Sequence, residues 1–161
     1  MSDNSEDEEK SQPEDVEPEE PEEKSDESEE EEQRDPREER ATVEKVIKDG
    51  LSDISKTADN DGYAFSKLSI SEKEIRSLFR YLRNYPHLRY IDFSQNAIRD
   101  ISILSNIPYL LTLNASQNKI EKIDLFAEDG LFTYLQKVNL KTNRIRELIP
   151  IQMPRLRHLN L

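Results

Sequence analysis

The 161-residue chain carries 35 Asp and Glu against 23 Lys and Arg, a net charge of −12. Its lack of cysteine excludes a disulfide scaffold, and its three glycines exclude a glycine-rich phosphate loop. The first thirty residues lack the apolar core of a signal peptide and no eighteen-residue apolar run occurs, so a reducing cytoplasmic setting without a membrane span is expected.

Residues 1–40 hold 21 acids against 5 bases and four prolines, with Met1 and Val16 as the only apolar side chains. So little apolar surface cannot offset the entropy of ordering, and a disordered acidic tail is predicted. Within it Ser5 in "SEDE" and Ser28 in "SEEE" are candidate phosphorylation sites for an acidophilic kinase. The remaining residues carry 14 acids and 18 bases, so the acidic balance belongs to the tail alone.

Residues 41–64 are read as an N-terminal cap. In "TVEKVIKDGLSDISKT" the residues Val43, Val46, Ile47, Leu51 and Ile54 recur at helical spacing despite Gly50, which predicts a helix covering the first coil of a stacked domain. "DNDG", Asp59 to Gly62, has the look of a calcium loop. Counting Gly62 as the sixth position, however, puts Thr57 first and Leu68 twelfth, where a bidentate Glu is required, so a turn is expected.

Residues 65–161 repeat. Leu88, Ile91, Phe93, Asn96, Ile98 and Ile101 superpose on Leu110, Leu113, Ala115, Asn118, Ile120 and Ile123, and then on Leu135, Val138, Leu140, Asn143, Ile145 and Leu148. A fourth unit begins with Leu156, Leu159 and Leu161, so the spacings are 22, 25 and 21. This is the leucine-rich-repeat pattern, and it predicts an α/β solenoid with short parallel strands on its concave face. Asn96, Asn118 and Asn143 are expected to stack as a ladder that satisfies backbone groups at each turn. Pro86, Pro108 and Pro154 each precede a repeat and should set the extended geometry of the next strand. The 25-residue spacing implies a bulged loop near Asp129 and Gly130.

Phe65, Leu68, Ile70, Ile75 and Leu78 keep the same offsets 23 residues earlier, with Lys73 in place of the Asn, and are read as a degenerate first repeat. "SEKE", Ser71 to Glu74, spells a capping box ahead of the helical stripe Ile75, Leu78, Phe79 and Leu82, so a helix is predicted there. The fourth unit supplies neither an Asn turn nor a convex return. An uncapped coil of that kind is expected to self-associate.

Chemistry finds no constituents. His87 and His158 stand in no zinc or triad pattern, so neither an enzyme nor a metal or other cofactor is expected. The glycosylation triplet Asn114-Ala115-Ser116 is accidental in a cytoplasmic protein. Surface remains. The outward strand positions are Tyr90, Asp92 and Ser94, then Thr112, Asn114 and Ser116, then Lys137, Asn139 and Lys141, and finally His158 and Asn160. They are the candidate protein-binding residues. Lys137 and Lys141 suit an acidic partner, whereas nucleic acid would call for interleaved aromatics that are absent. On this open face Asn114→Ala is expected to change stability little.

The acidic start, "VIKDGLSDISKT", the Asn-less first coil and "HLRYIDFSQNAIRDIS" together resemble the leucine-rich-repeat-containing protein twenty-three family, over about Val43 to Leu161. The resemblance implies a non-enzymatic scaffold of the radial spoke in the axoneme of motile cilia and flagella. Its partners would be other radial-spoke proteins, with no nucleic acid, membrane or small-molecule ligand. That family carries further repeats, so the chain matches its N-terminal part. Two other binding functions suit the pattern less well. A phosphatase-regulating repeat protein would need more coils, and an acidic nuclear histone-chaperone-like protein would carry its acidic tail after the repeats.

Overall fold

Helix α1, Pro36–Gly50, starts on a proline with Glu38 and Glu39 in its first turn and has Lys48 in its last, each charge placed favourably for the helix dipole. It buries Val43 and Ile47, one turn apart. The computed structural model describes residues 36–161. The disorder expected up to residue 35, and the sites Ser5 and Ser28, lie outside the described residues, while α1 begins within the segment read as tail.

The cap helix ends earlier than its apolar spacing predicts. Leu51–Lys56 is strand β1, not a continuation of α1. Gly50 shows why: a Cβ there would sit 2.5 Å from Ser69 O and 2.6 Å from Ile70 Cγ2. The end of α1 is thus wedged against the end of strand β2, Tyr63–Ser69, at a distance only glycine permits. β1 and β2 form an antiparallel hairpin pairing Leu51 with Leu68 and Ile54 with Phe65. "DNDG" lies in its loop, where Thr57 N donates to Gly62 O at 3.0 Å and Gly62 N to Thr57 Oγ1 at 3.0 Å. The Thr57 hydroxyl and the Asp61 N–H hold the Asp59 carboxyl below its usual range.

The sheet continues in parallel through β3 (Tyr90–Asp92), β4 (Thr112–Asn114), β5 (Lys137–Asn139) and β6 (His158–Asn160), in chain order. Ile91, Leu113, Val138 and Leu159 are register partners, and the first three are buried. Full burial of such a side chain is worth roughly 1.5–3 kcal/mol, and no coil encloses its own. Stacking does: Ile98, Ile101 and Leu104 of one coil pack in the same core as Ile120, Ile123 and Phe126 of the next.

Four details of the repeat differ from expectation. Phe65 is not the first core position of a degenerate coil, because the hairpin keeps the chain extended and strand alternation turns it outward with Tyr63, Lys67 and Ser69. No helix follows Ser71. Glu72 and Glu74 have φ of 57° and 54°, and helical structure is confined to the 3-10 helix Phe79–Asn84. The amide of Asn96 imposes this, its Oδ1 accepting from Lys73 N and Ile75 N at 3.0 Å each.

Pro86, Pro108 and Pro154 do not feed an extended segment directly. Each is the second residue of a β-turn, closed by Leu88 N to Tyr85 O, Leu110 N to Ile107 O, and Leu156 N to Met153 O. Finally, Leu148 is 72% exposed, not inward. The third coil returns without a 3-10 helix, and in this extended segment Ile149, Ile151 and Met153 pack on the core instead. The long spacing between the second and third repeats is taken up by turns after the 3-10 helix Asp124–Ala127, with Gly130 at φ 76°.

Candidate protein-binding surface

Three asparagines join successive coils. Asn118 Nδ2 donates to Ala115 O of its own coil at 3.1 Å and to Phe93 O of the preceding coil at 3.0 Å, while its Oδ1 accepts from Ile98 N at 3.0 Å. Asn96 repeats this arrangement on Phe93 O and Ile70 O, and Asn143 on Leu140 O and Ala115 O. Phe93 O and Ala115 O therefore each accept from two asparagines. The residue before each Asn is left-handed, with φ of 55° at Gln95 and Gln117 and 58° at Thr142, and this turns each amide back over the coil before it.

The parallel register aligns the outward strand positions in two rows. One runs Lys67, Tyr90, Thr112, Lys137, His158, and the other Ser69, Asp92, Asn114, Asn139, Asn160. The second row is a ladder of its own, which the repeat reading missed. Asn114 Nδ2 donates to Asp92 Oδ2 and Asn139 Nδ2 donates to Asn114 Oδ1, both at 3.0 Å. The other carboxylate oxygen of Asp92 accepts from Ser94 N at 2.9 Å and from Ser94 Oγ at 2.6 Å. Asn114 Oδ1 likewise accepts from Ser116 Oγ at 2.9 Å, and Asn139 Oδ1 from Lys141 N at 3.2 Å. The sequence signal is an Asp or Asn two residues before the turn, whose side chain bonds the backbone two residues on.

This ladder divides the candidate binding residues. Ser94 is 7% exposed and belongs to the interior of the turn, a correction to its reading as an outward position. Asp92, Asn114, Ser116 and Asn139 are half-buried and bonded to one another, and form a fixed polar floor. Tyr90, Lys137, Lys141, His158 and Asn160 are exposed, with Thr112 half-buried between Tyr90 and Lys137.

The hairpin extends the same face with side chains that the helical reading of the cap concealed. Ile54 is 66% exposed, Tyr63 71% and Phe65 39%, beside Tyr90. Strict alternation of Tyr63, Phe65, Lys67 and Ser69 against Ala64, Ser66, Leu68 and Ile70 was the available signal for them. The face is thus aromatic at one end and basic at the other, where Lys137 pairs in register with His158.

His87, read as an ordinary histidine, sits outside this face. It stacks on Tyr109 at 5.8 Å between ring centroids, Tyr109 lies 6.1 Å from Tyr134, and Arg155 lies 5.1 Å over the Tyr134 ring. His87, Tyr109, Tyr134 and Arg155 occupy the same turn position in successive coils, so the column follows from the repeat. Among the described residues no cluster of three His, Cys, Asp or Glu is placed to hold a metal ion, and no helix is long and apolar enough to cross a membrane.

No protein-family model matches the chain. It is 35% identical over 118 residues to human Leucine-rich repeat-containing protein 23 and 32% identical over 118 residues to the Bos taurus protein of that name. These matches cover 73% of this chain and 33% of each relative, so the chain spans a third of their length. The Xenopus tropicalis protein is 40% identical over 53 residues. Among solved structures, two internalins of Listeria monocytogenes align at TM-scores of 0.44 and 0.42, with 24% and 27% identity, covering 48% and 56% of this chain and 22% and 35% of theirs. With parallel strands in chain order, an asparagine ladder at the repeat spacing, and the identity to the human and bovine proteins over 118 residues, the chain is a leucine-rich-repeat protein homologous to Leucine-rich repeat-containing protein 23.

Proposed function

We propose that the chain is a non-enzymatic protein-binding scaffold that docks other radial-spoke proteins through the open face of its sheet, in the axoneme of motile cilia or flagella. The homology to Leucine-rich repeat-containing protein 23 supports the setting. One structural observation carries the binding: a polar floor locked by its own hydrogen bonds, from which Tyr90, Lys137 and His158 project in register beside Ile54 and Phe65. A preorganised floor costs little entropy on association, and exposed aromatic side chains are effective anchors. The basic end suits an acidic segment of the partner.

Tagged protein expressed in ciliated cells tests this. The expected signal lies along the axoneme and survives detergent extraction, and pull-down of spoke proteins falls about tenfold or more with Phe65→Ala combined with Tyr90→Ala, as for loss of two anchors. A diffuse or nuclear signal contradicts the setting. Unchanged capture by the double variant contradicts the surface.

A further inference from the structure

On the side of the coils away from the open face, the 3-10 helices Phe79–Asn84 and Ser102–Asn106 pack side by side and frame a groove of about 510 Å³. Arg80 and Arg83 line one wall and Ser102 and Ser105 the other, with Leu78 and Ile103 as the apolar part of the lining. A volume of this size suits a side chain with its immediate neighbours.

The two arginines are three residues apart in a helix of three residues per turn, so both guanidinium groups leave the same edge. Both are exposed, and among the described residues neither has an ion-pair or hydrogen-bond partner. Paired cations on one edge repel each other until an anion of higher charge joins them. Asp100 does not do so. Its Oδ1 accepts from Ser102 N at 2.8 Å and its Oδ2 from Ser102 Oγ at 2.9 Å. On the facing wall Ser105 Oγ accepts from Asn106 Nδ2 at 3.4 Å, so its O–H is left to donate.

We infer that this groove is a docking site for a phosphorylated serine or threonine side chain of a protein partner. A phosphate monoester brings nearly two negative charges and three strong acceptor oxygens. Planar guanidinium forks match these better than any other side chain does. The half-buried Ile103 offers apolar surface to a side chain that flanks the phosphorylated residue, whereas a lipid headgroup offers none. The site lies on a different face from Tyr90 and Lys137 and does not depend on the reading of that surface.

Amide chemical-shift titration of the full chain decides it, using a phosphoserine tripeptide flanked by leucines, its unphosphorylated form, inorganic phosphate, and vesicles containing phosphoinositide. The phosphopeptide is expected to shift amides of residues 77–84 and 100–106 saturably. The combined charge reversal Arg80→Glu and Arg83→Glu should weaken it at least tenfold, as for loss of a charge-assisted contact. Melting temperature should not move, since both side chains are exposed and unpaired. Equal shifts with the unphosphorylated peptide, binding of phosphate or vesicles alone, or a charge-reversed variant that binds as well would each overturn the assignment.

Discussion

Asn114 donates its amide to Asp92, Nδ2 to Oδ2 at 3.0 Å, and accepts from Asn139 Nδ2 at the same distance. A residue expected to be a free surface position is therefore the middle rung of a side-chain ladder. Asn114→Ala should destabilise the fold by about 1–2 kcal/mol, because two half-buried partners lose their bonds. Asn114→Asp should cost more at neutral pH, since it sets a second carboxylate against Asp92. Each carboxylate then raises the pKa of the other in the folded state, so the loss should shrink as pH falls through that raised value and one carboxyl protonates. Chemical denaturation at several pH values measures both effects, and a pH-independent loss would show that the two side chains do not face each other.

Asn118→Ala should cost about 1–3 kcal/mol, because it orphans Ile98 N and removes donors to Phe93 O and Ala115 O in the buried ladder. Asn106, whose amide reaches only the nearby Ile103 O and Ser105 Oγ, provides the comparison. Asn106→Ala should cost less than half as much. Equal melting shifts would remove the special role of the repeat asparagine.

Gly50→Ala should destabilise by about 1–3 kcal/mol, as an overpacked contact does, because the nearest obstruction is the backbone carbonyl of Ser69 and cannot rotate away. Gly62→Ala meets nothing within 4 Å and should be neutral or slightly stabilising. Thermal melts of the two variants measured in parallel distinguish a wedged helix end from a generic loss of glycine.

Tyr109 stands between His87 and Tyr134 in the turn column, so Tyr109→Ala should cost about 1–3 kcal/mol, roughly the sum of two aromatic contacts beyond area burial. Tyr134→Ala, which also removes the ring beneath Arg155, is expected to act less than additively with it because the two share a contact. A double-mutant cycle reads this coupling, and strict additivity would mean that the rings do not stabilise one another.

Spacing alone determined the repeat architecture. The offsets of Leu88, Ile91, Phe93 and Asn96 recur in the next two units, and each coil reads its own strand, turn and inward positions because the pattern is local. The asparagine turns were legible for the same reason, since a side chain three residues beyond the last inward strand position can reach only backbone at that corner. Tertiary structure decided what depends on neighbours in space. Leu51 and Ile54 fit a helix in one dimension, yet Gly50 must abut Ser69 and Ile70, so the chain turns there and pairs with β2, exposing Ile54 and Phe65. Whether Glu72 and Glu74 begin a helix was settled by Asn96, 22 residues after Glu74, whose amide oxygen accepts from Lys73 N and Ile75 N on either side of Glu74. The Asp92–Asn114–Asn139 ladder and the edge shared by Arg80 and Arg83 belong to the same class. Stacking register and helix pitch, not residue type, bring those side chains together.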